Sequence, residues 1–122
     1  MQNAINWFEI PSVDFDRAVQ FYSEILAQPV RRDEFMGVPH GMFASDEHGV
    51  GGAIVKSSDH QVSTNGVVIY LNAGQDIDGI LSRVEAAGGQ VVTPKIAIGE
   101  QGYMALLLDS EGNKIGLHQP PG

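Results

Sequence analysis

Residues 13–30, VDFDRAVQFYSEILAQPV, and residues 75–92, QDIDGILSRVEAAGGQVV, decide how this chain is read. Shifted by 62 positions, the first overlays the second, placing Asp14 on Asp76, Asp16 on Asp78, Tyr22 on Val84 and Val30 on Val92. Outward from this block, a shift of 63 lays SDEHG (45–49) on LDSEG (108–112), with Asp46 on Asp109 and Gly49 on Gly112. A shift of 61 lays WFEI (7–10) on VIYL (68–71). One-residue slips between blocks are what loop insertions produce, so the chain reads as an internal duplication.

Each copy carries the same order of elements. AINWFEIP alternates as a strand does and stops where Pro11 removes a ladder donor. Asp14 is a plausible N-cap for residues 14–26, whose Ala18, Val19, Tyr22, Ile25 and Leu26 recur at helical spacing. VRRDEFM, HGMFASDE and GGAIVK follow as strand candidates, separated by turns at Gly37, Gly41 and Gly49. The second copy runs GVVIYLNA (strand), DIDGILSRVEAA (helix, stopped by Gly88-Gly89), then QVVTPKIAI, YMALLLD and NKIGLHQ. The expectation is an α+β fold: two tandem βαβββ modules, about 1–60 and about 61–122, in a single domain spanning 1–122. Their strands would form a curved, incompletely closed eight-stranded sheet with helices on the outer face. A concave surface of that kind is a natural ligand site.

Composition narrows the chemistry. With 43% hydrophobic and 18% charged residues the chain is globular in character, and no apolar run approaches the roughly 18 residues that cross a bilayer. No membrane association is expected, and the N-terminal stretch does not read as a secretory leader, so the expected location is cytoplasmic. The absence of cysteine removes disulfides, thiolate nucleophiles and Cys-ligated metals. Seven Lys+Arg against 15 Asp+Glu give a net charge of −8, which repels polyanions, so no nucleic-acid partner is expected. No Ser/His/Asp order is recognisable. Neither glycine-rich segment has the strand-to-helix context of a phosphate loop.

The tandem, opening on FEIPSVDFDRAVQFY and closing on LLLDSEGNKIGLHQ, resembles the vicinal oxygen chelate superfamily over essentially its whole length. That superfamily is also called the glyoxalase/bleomycin resistance/extradiol dioxygenase group. Its metal-using members hold a divalent ion with His, Glu or Gln from the first and last strands of each module. Carried over residue by residue, those positions are Trp7, Ala53, Val68 and Gly116. None of the four offers a lone pair on N or O to a metal. The resemblance therefore implies no metal and no cofactor. It points to a metal-independent small-molecule binding protein, as bleomycin resistance proteins are, and to a homodimer. The alternative is a lyase, isomerase or dioxygenase-related enzyme on a small carbonyl or hydroxy compound, with Glu9 or His118 as acid/base.

Period-two alternation assigns the faces. Phe8, Ile10, Ile69, Leu71, Ile115 and Leu117 would pack on the helices, leaving Trp7, Glu9, Tyr70 and His118 to line one hollow. An indole beside a carboxylate suits a cationic or aromatic ligand, with cation–π attraction worth about 0.5–2 kcal/mol. Equally, Trp7 fills space a metal would take, Glu9 pairs with an arginine, and His118, next to Pro120-Pro121, ends a strand. His40, His48 and His60 lie in Gly- or Asp/Ser-flanked loop sequence and read as surface residues. Arg31, Arg32 and Asp33 read as a charged edge, and Tyr103 as packing or a cap on the hollow.

Overall fold

The apolar stripe of residues 14–26 becomes α1 (Phe15–Leu26), which buries Ala18, Val19, Phe21, Tyr22 and Ile25. Its start is set by Asp14, whose carboxylate accepts the Arg17 N–H at 3.1 Å. Its end is set by Ala27 in the left-handed region, φ 54°, whose N–H returns to Glu24 O. The second helix, α2 (Ile77–Val84), buries Ile77, Ile80 and Val84 and is shorter than its sequence pattern. From Glu85 the chain leaves the helix: Gly88 N–H bonds Glu85 O and Gly89 N–H returns to Val84 O, a close approach. A side chain at Gly89 would strike Phe21 and the Leu108 carbonyl.

The computed structural model describes residues 3–122. Module one contributes β1 (Trp7–Pro11), β2 (Arg31–Phe35), β3 (Val38–Met42) and β4 (Gly51–Val55). Module two contributes β5 (Tyr70–Asn72), β6 (Gln90–Ala97), β7 (Tyr103–Leu108) and β8 (Lys114–Gln119). The strand orders are β1-β4-β3-β2 and β5-β8-β7-β6, the same arrangement twice. In each, the first strand lies parallel to the last, which a helical crossover makes possible, and the other pairs are antiparallel. The expected tandem βαβββ fold is present. Its eight strands fall into two four-stranded mixed sheets, with no ladder joining them among the described residues.

Two strands differ from their sequence limits for local reasons. The third begins at Val38, because Met36 (φ 53°) and Gly37 (φ 79°) form the two-residue hairpin turn that pairs Phe35 with Val38. The fifth shrinks to Tyr70–Asn72, because the Lys114 N–H bonds Ser63 O and only the Gly116 N–H reaches Ile69 O. The charged segment at Arg31–Phe35 is the outer strand of sheet one and is exposed throughout.

Both helices lie in one core, with Ile10, Tyr22, Ile25 and Ile54 from module one and Leu71, Ile77, Leu107 and Leu117 from module two. The DSEGN turn locks the modules together. Asp109 accepts from the buried Tyr22 hydroxyl at 2.6 Å and from the N–H groups of Glu111 and Asn113. Asn113 Nδ2 donates to Pro11 O at 2.8 Å. Glu111 sits beneath the start of α1, accepting from Val13 N–H, Asp14 N–H and the Arg17 guanidinium. Burial pushes the Glu111 carboxyl up, but Arg17, the two amides and Ser110 together hold it below the ordinary 4.5.

A depressed carboxyl stabilises the fold fully above its unfolded value, and that contribution is lost as pH falls through the folded value. Glu111→Gln should lower the unfolding free energy by about 2 kcal/mol, the worth of hydrogen bonds to a charged group. In urea melts the gap between wild type and variant should be full at about pH 7 and shrink towards about pH 3; an unchanged gap would contradict this account.

Candidate functional site

Alternation places the side chains as expected on each strand. Ile10 enters the core and Phe8 packs on Phe43, ring centroids 5.5 Å apart, so Trp7 and Glu9 face the other way. Leu71, Ile115 and Leu117 are buried, so Tyr70, Gly116 and His118 share the opposite face of sheet two. Trp7, Glu9, Tyr70 and His118 do not line one hollow. Tyr70 and His118 border a cavity of about 510 Å³ over sheet two, with Asn72, Gln101 and Met104. Trp7, Glu9 and Tyr70 border a larger groove, about 1030 Å³, between the free edges of β1 and β5. Tyr70 alone of the four touches both. The single concave surface divides because the two sheets are not joined edge to edge. Tyr103 begins β7 on the core side, with Lys95 Nζ 4.5 Å above its ring, and so does not cap the hollow.

His118 is held by the backbone. Its Nε2 lies 2.7 Å from Gln101 O. A carbonyl only accepts, so Nε2 carries the proton and the neutral ring keeps Nδ1 as an acceptor. Gln101 is presented by a 3₁₀ turn, Gly99–Gln101, closed by Ile98 N–H on Gly102 O. Gly102, φ 102°, passes so close to Gln119 O that a Cβ would collide with it. Asn72 Oδ1 accepts the Gly74 N–H at 2.8 Å, which leaves the Asn72 amide N–H groups free to donate. The hollow thus offers an imidazole acceptor, an amide donor and a phenol between apolar walls that include Met104 and Ile98.

Glu9 is engaged within the protein. Trp7 Nε1 donates to Oε2 at 3.2 Å and His60 Nε2 donates to Oε1 at 2.7 Å. His40 Nε2 stands 3.8 Å from Oε2, and its Nδ1–H donates to Val38 O. The His60 hydrogen bond, outweighing partial burial, together with Trp7 holds the Glu9 carboxyl below its ordinary range. His40 and His60 are therefore not plain surface residues: the His40 side chain is 12% exposed and both rings face Glu9. His40 reaches Glu9 across β4, where Ala53 stands opposite Glu9 and Val55 opposite His40. Alternation within VPHGM was a usable signal for His40. Nothing local in the sequence marks His60, 51 residues from its partner.

The positions where metal-using relatives carry ligands do not fit an ion here. The Trp7 ring lies on Gly51, and Ala53 is fully buried. The Tyr70 ring lies where a side chain at Gly116 would project. None of Trp7, Ala53, Val68 and Gly116 offers an N or O ligand, and aromatic rings fill the space at Trp7 and Gly116. Among the described residues no group of three or more His, Asp or Glu is arranged to hold a metal.

Comparison with known proteins agrees with the fold. The model of the Glyoxalase/Bleomycin resistance protein/Dioxygenase superfamily matches residues 4–117, and the chain belongs to that superfamily. Among solved structures it is similar to a glyoxalase/bleomycin resistance protein from Albidiferax ferrireducens T118, with 20% identity over 98% of this chain and 100% of that one, TM-score 0.75. It is also similar to a glyoxalase-related enzyme from Fulvimarina pelagi, with 16% identity over 99% and 90% of the two chains, TM-score 0.68. A third similar structure is a glyoxylase/bleomycin resistance protein/dioxygenase domain from Frankia sp. EAN1pec, with 15% identity over 99% and 94%, TM-score 0.71. At these identities the likeness is one of fold. No curated protein matches the sequence.

Because the Tyr70 ring rests on Gly116, Gly116→Ala should displace it and cost about 1–3 kcal/mol, the usual range for overpacking. Thermal unfolding and the NMR shifts of the Tyr70 ring check this; an unmoved ring would refute it.

Proposed function

We propose that this chain is a metal-independent small-molecule binding protein, and that the hollow on sheet two is its ligand site. The observation that carries the reading is the convergence of a tautomer-fixed His118, the free Asn72 amide and Tyr70 on one apolar cavity. A few placed polar groups in an apolar cleft are what orients a small ligand. The site suits an uncharged aromatic compound with a hydroxyl: the O–H donates to His118 Nδ1 and the ring packs against Tyr70 and Met104. A cationic ligand at Trp7 and Glu9 is less favoured, because both Glu9 oxygens already have partners. Should the site carry proton transfer on a small carbonyl or hydroxy compound, as a lyase or isomerase does, His118 rather than Glu9 supplies the acceptor. We also propose a cytoplasmic location, which is compatible with the absence, among the described residues, of a helix long and apolar enough to cross a membrane.

Titration with 2-naphthol, followed by NMR, should shift residues 70, 72, 104 and 118, and binding should survive dialysis against EDTA. Tyr70→Ala and His118→Phe should each weaken it about tenfold, equivalent to about 1.4 kcal/mol. Shifts centred on residues 7 and 67, or binding only with added metal, would overturn this assignment.

We further propose that the chain forms a homodimer through its free strand edges. Among the described residues no strand pairs with the outer edges of β1 and β5, and Ile5, Trp7, Val67 and Tyr70 are exposed beside them. Unpaired edges flanked by apolar surface favour a second copy. Sedimentation should give a dimer that Val67→Lys weakens; a monomer at high concentration would refute the proposal.

A further inference from the structure

The Glu9 cluster lies on sheet one, away from the sheet-two hollow, and its hydrogen bonds form a directed chain. Glu9 is an acceptor only, so His60 Nε2 is the donor to Oε1 at 2.7 Å. In the neutral ring Nδ1 is then an acceptor, and it lies 2.6 Å from Ser57 Oγ, so the serine hydroxyl donates to it. Glu9 is itself held from its other oxygen by Trp7 Nε1–H, with His40 Nε2 facing that oxygen at 3.8 Å. The chain Ser57–His60–Glu9 thus joins a hydroxyl, a base and a carboxylate that orients the base. Such a constellation is recognised by geometry and roles rather than by residue order. The order is unusual in that Ser57 meets Nδ1 and the carboxylate meets Nε2. Either ring nitrogen can take a proton while the other donates a hydrogen bond to a carboxylate.

We propose that Ser57 is an activated nucleophile that accepts an acyl group from an activated ester or thioester, with His60 as proton acceptor and Glu9 as the positioning residue. Ser57 is half-buried, and the His60 and Glu9 side chains are 30% and 33% exposed, so an acyl donor can reach the serine from solvent. In the reaction Ser57 Oγ bonds the acyl carbon while its proton passes to His60 Nδ1. The bond from that carbon to the leaving alcohol or thiol breaks, and the leaving group takes the proton from His60. Water then attacks the acyl-serine by the same route, releasing the carboxylic acid and restoring the hydroxyl. Glu9 stays ionised throughout and balances the transient imidazolium.

The test is labelling of the full chain with a fluorophosphonate probe, read by intact mass and peptide mapping, alongside hydrolysis of p-nitrophenyl acetate. A single adduct on Ser57 is expected, absent from Ser57→Ala. Glu9→Gln should lower kcat for the ester about 100-fold with KM unchanged, the usual worth of acid–base assistance. His60→Gly should be slow and partly rescued by added imidazole, an effect a purely structural histidine would not show. Circular dichroism of each variant guards against unfolding as the cause. Wild type labelled elsewhere, or labelled at Ser57 no faster than Glu9→Gln, overturns the proposal.

Discussion

The structure depends on one buried polar turn. Asp109, Glu111 and Asn113 are all nearly inaccessible, yet each projects into the other module: Asp109 to the Tyr22 hydroxyl, Glu111 to the amides that start α1, Asn113 to the carbonyl that ends β1. Three polar side chains can be buried together because nearly every lone pair and N–H among them has a partner. A carboxylate under a helix start also meets amides that would otherwise lack acceptors and the positive end of the helix dipole. The turn thereby ties the start of α1, capped locally by Asp14, to module two, while α1 packs on β4 of sheet one and α2 packs on sheet two.

The same motif in module one has no such role. SDEHG at 45–49 is exposed and closes only a local turn, Gly49 N–H on Asp46 O. The internal symmetry of the sequence is thus broken in the fold. Sheet two keeps an open hollow, whereas on sheet one the segment after β4 sends His60 back onto Glu9. Glycines on the last strands of both modules accept rings from the first: Gly51 beneath Trp7, Gly52 beneath Phe8, Gly116 beneath Tyr70. An aromatic-on-glycine contact between first and last strand thus recurs in each module.

The site was legible in part. Alternation correctly oriented Trp7, Glu9, Tyr70 and His118, because a two-residue period is a property of the strand alone. It did not divide them between two concavities, since that depends on how two separate sheets sit against a shared core. Glu9 was read as awaiting an arginine or a ligand. It meets two histidines, from β3 and from the segment after β4, whose Gly- or Asp/Ser-flanked sequence reads as surface loop. The Gln101 carbonyl that fixes His118 carries no sequence signal, because it is backbone.

By itself the sequence determined the duplication, the order of elements, the helix starts and the core faces, all of which follow from local periodicity, capping and turn chemistry. Side-chain chemistry, which is independent of the fold, likewise shows in the sequence that Trp7, Ala53, Val68 and Gly116 carry no metal-binding N or O. Only the tertiary structure decided that the two sheets remain separate, that one DSEGN-type turn is buried and its counterpart exposed, and that Ser57, His60 and Glu9 form a chain. The decisive contacts join residues far apart in the chain, 51 positions for His60 and Glu9 and 87 for Tyr22 and Asp109, whose partners no local pattern can select.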